Sequence, residues 1–378
     1  MTHLAKKRAL LKRVRRSVVK IGSSLLSTPE GLNQKRIRRL VEEIHDLTDA
    51  RREFILVTSG AVAAGMARLG FRERPRTVTQ KQAAAAVGQI DLMAYYEECF
   101  AAHRRHVAQM LLTHDDLSHR RRYLNAKHTL MSLLEASVVP IVNENDTVSV
   151  DEIKLGDNDN LSAEVAALAE ADLLVILSDV DGLCTADPKQ DPDAVLISLL
   201  HGDDGKAERY AGSSASRFGI GGMKTKIEAA RKAAAAGVFT LIANGHVEDI
   251  LTRVFDPGIE VGTLIVPLAD RMASRKHWIA FTLRPRGTLL VDSGAVSALC
   301  EKGKSLLPSG LHAIEGSFGV GDCVRCAGPG GREFARGLVN YSASELQKIK
   351  GAHTRDIDAI LGYKTANEVI HRDDLVIL

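Results

Sequence analysis

A lysine at the end of an apolar strand is costly unless its amine faces something polar. Lys20 stands in that position in SVVKIGSS (17–24), and Gly22-Ser23-Ser24 after it offers free backbone N–H donors, one half of an anion site. A second half lies far along the chain. Gly219-Ile220-Gly221-Gly222-Met223-Lys224-Thr225-Lys226 runs glycines into a helix start, with Lys226 about one turn inside. The spacing is not that of a Walker A loop, nor of a dinucleotide fingerprint after a strand. Between the halves lie two clusters of acids and amides, Asn143-Glu144-Asn145-Asp146 and Gly156-Asp157-Asn158-Asp159-Asn160. They lack the ligand order of an EF-hand. Carboxylates hold an ammonium and amides hold carboxylates, so the pair suits an amino-acid ligand. Ser59-Gly60-Ala61 adds a hydroxyl and turn N–H groups without the spacing of a nucleophile elbow. Ser178-Asp179-Val180-Asp181-Gly182 ends another apolar run, where it could meet a ribose or an adenine edge. Phosphates held by backbone N–H groups, charge offset by lysines and an acceptor in line are what phosphoryl transfer requires. Each stretch alone also has a plain structural reading: a snorkelling strand-end lysine, a helix cap, a solvated loop or ordinary turn chemistry.

The elements that must position these residues follow one grammar. Residues 17–26 read as a short buried strand entering a Gly-Ser turn, and 54–57, 138–148, 171–183 and 238–245 read as further strands. Helical spacing marks 33–50, 81–101, 122–136, 161–170 and 223–236. Strands apolar throughout, alternating with helices, predict an α/β fold with a mainly parallel sheet covered on both faces. Ligands in such sheets bind beyond the carboxyl ends of the strands, where the small and polar residues above are concentrated. The pattern changes near residue 266. From about 284, short apolar runs separated by Gly and Pro predict a compact β-rich domain. The expected organisation is a basic tail at 1–16, a domain at 17–266, a linker at 267–283, a β-rich domain at 284–362 and a C-terminal segment at 363–378.

Apolar residues are 45% and charged residues 26% of the 378, ordinary values for globular chains. The formal charge of +3 is too small for the whole molecule to act as a nucleic-acid magnet. Positive charge gathers instead in the leader, with Lys6, Lys7, Arg8, Lys12, Arg13, Arg15 and Arg16 and no acid. It lacks the apolar core of a secretory signal and reads as a solvated tail. No run approaches the length of a membrane span. Five scattered cysteines fit a reducing cytoplasm, and Cys323-x-x-Cys326 without a second pair is weak grounds for zinc.

Lys-x-Gly-Ser-Ser, Val-Thr-Ser-Gly-Ala, Asn-Glu-Asn-Asp, Gly-Asp-Asn-Asp-Asn-Leu-Ser-Ala and Gly-Gly-Met-x-Thr-Lys, in this order, resemble the amino-acid kinase superfamily and, within it, the glutamate 5-kinase family. Residues 284–362 resemble the PUA domain, an RNA-binding module. The resemblance implies an amino-acid-kinase-type three-layer sandwich with a small β-rich PUA barrel. It implies ATP-dependent phosphorylation of the γ-carboxylate of L-glutamate to L-glutamyl 5-phosphate, at the head of proline biosynthesis. Lys20 and Lys226 would offset charge on the transferring group, and Asp157 would orient them. Ser59, Asp146 and Asn158 would bind glutamate. ATP would be held by Lys20, Gly22, Ser178, Asp179, Ile220, Gly221, Gly222, Met223, Lys224, Thr225 and Lys226, with Mg2+ carried on its phosphates rather than by a protein metal site. Proline as feedback inhibitor, RNA at the PUA domain and assembly as a homo-oligomer complete the expected partners. Ile220, Ser178 and Cys184 depart from residues common in that family. Aspartate, acetylglutamate, carbamate or UMP would be the competing acceptors. An RNA-binding protein with a vestigial kinase fold would need stacking aromatics, and aromatics are 4%.

Overall fold

Val18, Val19 and Ile21 surround Lys20 in β1 (Arg16–Ile21), and every residue after the first is buried. Branched side chains buried on both faces are what a central parallel strand requires. The computed structural model describes residues 3–28, 31–49, 52–71, 73, 75–149, 157–186, 188, 191–201, 222–256, 258–267, 279 and 283–378. They form two compact units, Met1–Ser118 with Ala126–Leu268, and His119–Asn125 with Ala269–Leu378.

The first unit opens with α1 (His3–Leu11), then β1, α2 (Ser23–Leu26), a small hairpin of β2 (Ser27–Thr28) and β3 (Gly31–Leu32), and α3 (Gln34–Asp49). It continues through β4 (Glu53–Val57), α4 (Ala61–Leu69), α5 (Val78–Ala101), β5 (Val107–Leu112), α6 (His114–Ser118), α7 (Arg120–Glu135), which is part of this unit from Ala126 onward, and β6 (Val139–Glu144). Then come α8 (Asp157–Leu168), β7 (Leu173–Ser178), β8 (Leu199–His201), α9 (Met223–Ala235), β9 (Phe239–Asn244), α10 (Ile250–Phe255) and β10 (Thr263–Val266). The eight-stranded sheet has the order β5-β6-β4-β1-β7-β9-β10-β8. Its ladders are parallel except where β10 meets β9. Successive strand residues face opposite sides. Val19, Ile21, Leu56, Val175 and Leu177 therefore pack with α3, α5 and α10 in one core. Val18 and Lys20 face the other side, where α8 lies against β1. This is the three-layer arrangement expected.

Three local differences bear on the site. The first strand stops at Ile21, and Ser23–Leu26 turn helical behind Gly22. The basic leader is no solvated tail. Leu11 and Val14 enter the core, and Lys7, only 3% exposed, donates from Nζ to the carbonyls of Val261 and Gly262 at 2.6 and 2.9 Å. The alanine-rich helices α4 and α5 cross in backbone contact, because a Cβ on Gly65 would sit 1.8 Å from Ala84 O and one on Gly88 1.9 Å from Ala61 O.

The second unit carries β11 (Gly287–Val291), α11 (Ser293–Cys300), β12 (Leu311–Gly316), β13 (Cys323–Ala327), β14 (Glu333–Leu338), α12 (Ala343–Ile349), α13 (Ile357–Leu361) and β15 (Leu375–Ile377). Its sheet has the order β12-β11-β13-β14-β15 over its own core. The segment 363–378 belongs to this unit. β15 pairs with β14, Asn340 N–H donates to Val369 O at 2.8 Å, and Ala366 N–H donates to the Tyr341 hydroxyl at 3.0 Å. Cys323 and Cys326 lie buried on β13 and form no disulfide. Among the described residues no group of three or more His, Cys, Asp or Glu side chains is placed to hold a metal ion, and no helix is long and apolar enough to cross a membrane.

Candidate active site

Register sets Lys20 between Val57 of β4 and Ile176 of β7, one residue before its strand ends. Its Nζ lies 2.6 Å from Asp159 Oδ1, and Lys226 Nζ lies 3.2 Å from Asp159 Oδ2. The three side chains are 8%, 1% and 8% exposed in the order Lys20, Asp159, Lys226. Thr225 Oγ1 donates to Asp159 Oδ2 at 2.9 Å and to Gly222 O at 3.0 Å, tying the first turn of α9 to the first turn of α8. Burial pushes the Asp159 carboxyl up, but the two ammonium groups and Thr225 outweigh it and hold the group below its ordinary value. Burial lowers the Lys20 ammonium against the pull of Asp159, and Lys226 lowers it further. Two ammonium groups share one carboxylate in a nearly closed site. The amino ends of α8 and α9 add their dipoles. Gly22 leaves the approach clear, since a Cβ there would sit 3.7 Å from Lys20 Nζ and 3.3 Å from Leu177 O.

Amides lie on one side of this centre. Asn158 Nδ2 donates to Thr58 O at 2.8 Å, to Ser59 Oγ at 2.9 Å and to Asn143 Oδ1 at 3.2 Å, joining the ends of β4 and β6 to the start of α8. Gly60, at φ 99, makes the left-handed turn that starts α4. Asp146 is half-buried in the turn after β6. Polar strand ends lie on the other side. Ser178 Oγ donates to Asp179 Oδ1 at 3.0 Å, Gly245 N–H donates to Ser178 O at 2.7 Å, and Asn244 Nδ2 donates to Asp181 Oδ1 at 2.9 Å. Asp179 is exposed and within electrostatic reach of Lys20.

Lys20, Gly22, Ser59, Asp146, Asn158, Ser178, Asp179, Gly222, Met223, Lys224, Thr225 and Lys226 are thus all at or beside the carboxyl ends of the central strands or the amino ends of α8 and α9, with Lys224 exposed. Ile220 and Gly221 lie outside the described residues, as does the Asp157 side chain. The carboxylate that joins the lysines is Asp159, two residues beyond the one expected. Nothing in the sequence separates the two, because α8 is buried on nearly every side (Leu161, Ser162, Ala163, Val165, Ala166) and helical phase favours neither. The sequence gives Asn143 no role beyond its cluster, and nothing in it marks Gln89 apart from the other helix formers of α5.

A mainly parallel α/β sheet with a buried two-lysine anion centre, flanked by amides on one side and polar strand ends on the other, defines a phosphoryl-transfer fold of the amino-acid kinase class. Residues 15–244 match the model of the amino acid kinase family and residues 287–361 that of the PUA domain. The chain belongs to the amino acid kinase family. Curated relatives span it nearly end to end. A glutamate 5-kinase of Geobacter metallireducens is 54% identical over 371 residues, 98% of this chain and 99% of the relative. One of Pseudomonas aeruginosa is 53% identical over 365 residues, 96% and 98%. A solved carbamate kinase of Giardia shares 16% identity at TM-score 0.48, over 67% of this chain and 99% of that one.

Proposed function

We propose that this chain transfers the γ-phosphoryl group of ATP to the γ-carboxylate of L-glutamate, giving L-glutamyl 5-phosphate for proline synthesis in the cytoplasm. The observation that carries this reading is Asp159 bridging Lys20 and Lys226 beside the Asn158–Ser59–Asn143 amides. The acceptor carboxylate is already ionised at neutral pH, so no general base is needed. What remains is to hold two anions together and offset their charge. Lys20 and Lys226 meet the transferring phosphoryl oxygens, Asp159 keeps both amines in place, and the α8 and α9 amino ends supply N–H donors. Ser59 and Asn158 hold the acceptor, with the Asp146 carboxylate toward its ammonium. Ser178 and Asp179 take the nucleoside side, together with the segment from Ile220 to Lys226.

Asp159 is occupied by two ammonium groups, which suits Mg2+ riding on the nucleotide phosphates rather than in a protein cage. When bound, the ion offsets charge on the β- and γ-phosphate oxygens. Proline at the acceptor pocket, RNA at the PUA domain and a homo-oligomer belong to the same reading. An ATP-dependent hydroxamate assay with glutamate, aspartate and acetylglutamate side by side tests it, because hydroxylamine traps the acyl phosphate. Glutamate is expected to give most of the product. Product from aspartate or acetylglutamate alone would overturn the acceptor assignment.

A further inference from the structure

Gln89 is a polar residue, 9% exposed, on the face of α5 that buries Ala85, Leu92 and Tyr96. A glutamine so placed needs a partner. Its Oε1 accepts from Asn143 Nδ2 at 2.8 Å. Neither amide is free to turn over. Asn143 Oδ1 accepts from the Glu144 N–H at 2.9 Å, so Nδ2 must point at Gln89, and Gln89 must present oxygen. The same Asn143 Oδ1 takes Asn158 Nδ2, which the Thr58 carbonyl also fixes. Backbone groups thus set the sense of a three-amide relay from α5 to α8. It ends in two buried atoms without hydrogen-bond partners among the described residues, Gln89 Nε2 and Asn158 Oδ1. Two turns further along α5, the Tyr96 hydroxyl lies 3.0 Å from Thr58 Oγ1, so one helix face braces the ends of both β4 and β6. The contact between α5 and α4 at Gly88 and Ala61 holds that face at this depth.

We propose that Gln89 is a positioning residue for the acceptor. By fixing the sense of Asn143, and through it Asn158, it keeps the Asn158 NH2 on Ser59 and the strand end and leaves its oxygen as the amide's remaining capacity. This rests on the reading of Ser59 and Asn158 as acceptor ligands. Removing the Gln89 oxygen leaves Asn143 Nδ2 buried and unpaired, which turns or displaces the amide. The nucleotide side shares none of these bonds.

The test uses the full chain, hydroxamate kinetics and thermal melting. Gln89→Met is expected to raise KM for glutamate about tenfold, equivalent to about 1.4 kcal/mol, with KM for ATP within about twofold. Gln89→Glu keeps an oxygen toward Asn143 Nδ2 and adds a buried carboxyl, which burial favours in its neutral, still accepting form, so its KM for glutamate is expected to fall below that of Gln89→Met. Gln89→Met combined with Asn143→Ala is no worse than Asn143→Ala alone, because both act through one bond. Equal rises in both KM values, additive effects in the double variant or no rescue by Gln89→Glu would overturn the role. If Gln89→Met does not fold, Gln89→Asn withdraws the same oxygen by one methylene and is read by the same criteria. A wild type silent with glutamate sinks the functional reading itself, whereas an active wild type with an unshifted Gln89→Met sinks only the role of Gln89.

Discussion

Asp159→Asn keeps the shape of the side chain and removes its charge. It leaves two ammonium groups, formerly 2.6 and 3.2 Å from the carboxylate, facing each other in a site where all three side chains are at most 8% exposed. At an effective dielectric of 20 the gross attraction lost is about 5–6 kcal/mol per pair. The net cost of removing one member of a buried ion group is smaller, about 3–5 kcal/mol. Lys20 relieves part of it, because burial already lowers its pKa and the loss of Asp159 removes the main opposing influence. The lower end, about 3 kcal/mol, is therefore expected. For a unit of this size that corresponds to about 6–12 °C in melting temperature. Turnover should fall about 10²–10³-fold, as when one preorganised charge-stabilising group is lost. Inorganic phosphate should raise the melting temperature of the variant more than that of wild type, since it supplies the missing countercharge. Purified Asp159→Asn with turnover within threefold of wild type, or with an unchanged melting temperature in phosphate-free buffer, would refute the account of the centre.

Lys7, buried against two carbonyls, has its pKa lowered from 10.5 to about 8, chiefly by desolvation. The unfolded chain then binds more protons than the folded one across that window. Stability should therefore rise as pH goes from about 8 to 10.5, and Lys7→Met should flatten that slope in melting curves. Gly88→Ala places a methyl group 1.9 Å from Ala61 O. It should cost at least about 1–3 kcal/mol by thermal melting and raise KM for glutamate, because α4 begins beside Ser59. A chain ending before residue 284 should retain ATP- and glutamate-dependent hydroxamate formation, because every candidate site residue precedes it. A folded but inactive truncation would contradict that.

Much of the scaffold was legible because burial leaves plain marks. Phe54–Val57 and Leu173–Leu177 are apolar from end to end, as strands covered on both faces must be. Lys20 stood out as the one charge in such a run, and Lys226 by its place after glycines. Other features depend on partners distant in sequence. The reversed direction of β10 is fixed by pairing with β9, which composition does not encode. The leader looked solvated because its seven cations hid the apolar Leu11 and Val14 and the depth of Lys7. Leu375–Ile377 is too short to declare itself without β14 alongside. Gln89 sat unnoticed in an alanine-rich helix, where a glutamine also serves as an ordinary helix former.

The strand that carries Lys20 is made before the other strands described for its sheet, yet it occupies the middle of that sheet, with β4 on one flank and β7 on the other. Synthesis therefore completes one flank by residue 144 and leaves the second unclaimed until Leu173–Ser178 has emerged. In that interval a nascent chain presents an open, apolar strand edge of the kind that recruits foreign strands. Arrival of β7 covers that edge only after α8 has been made, so the same stretch of translation that protects the sheet also delivers Asp159 to Lys20.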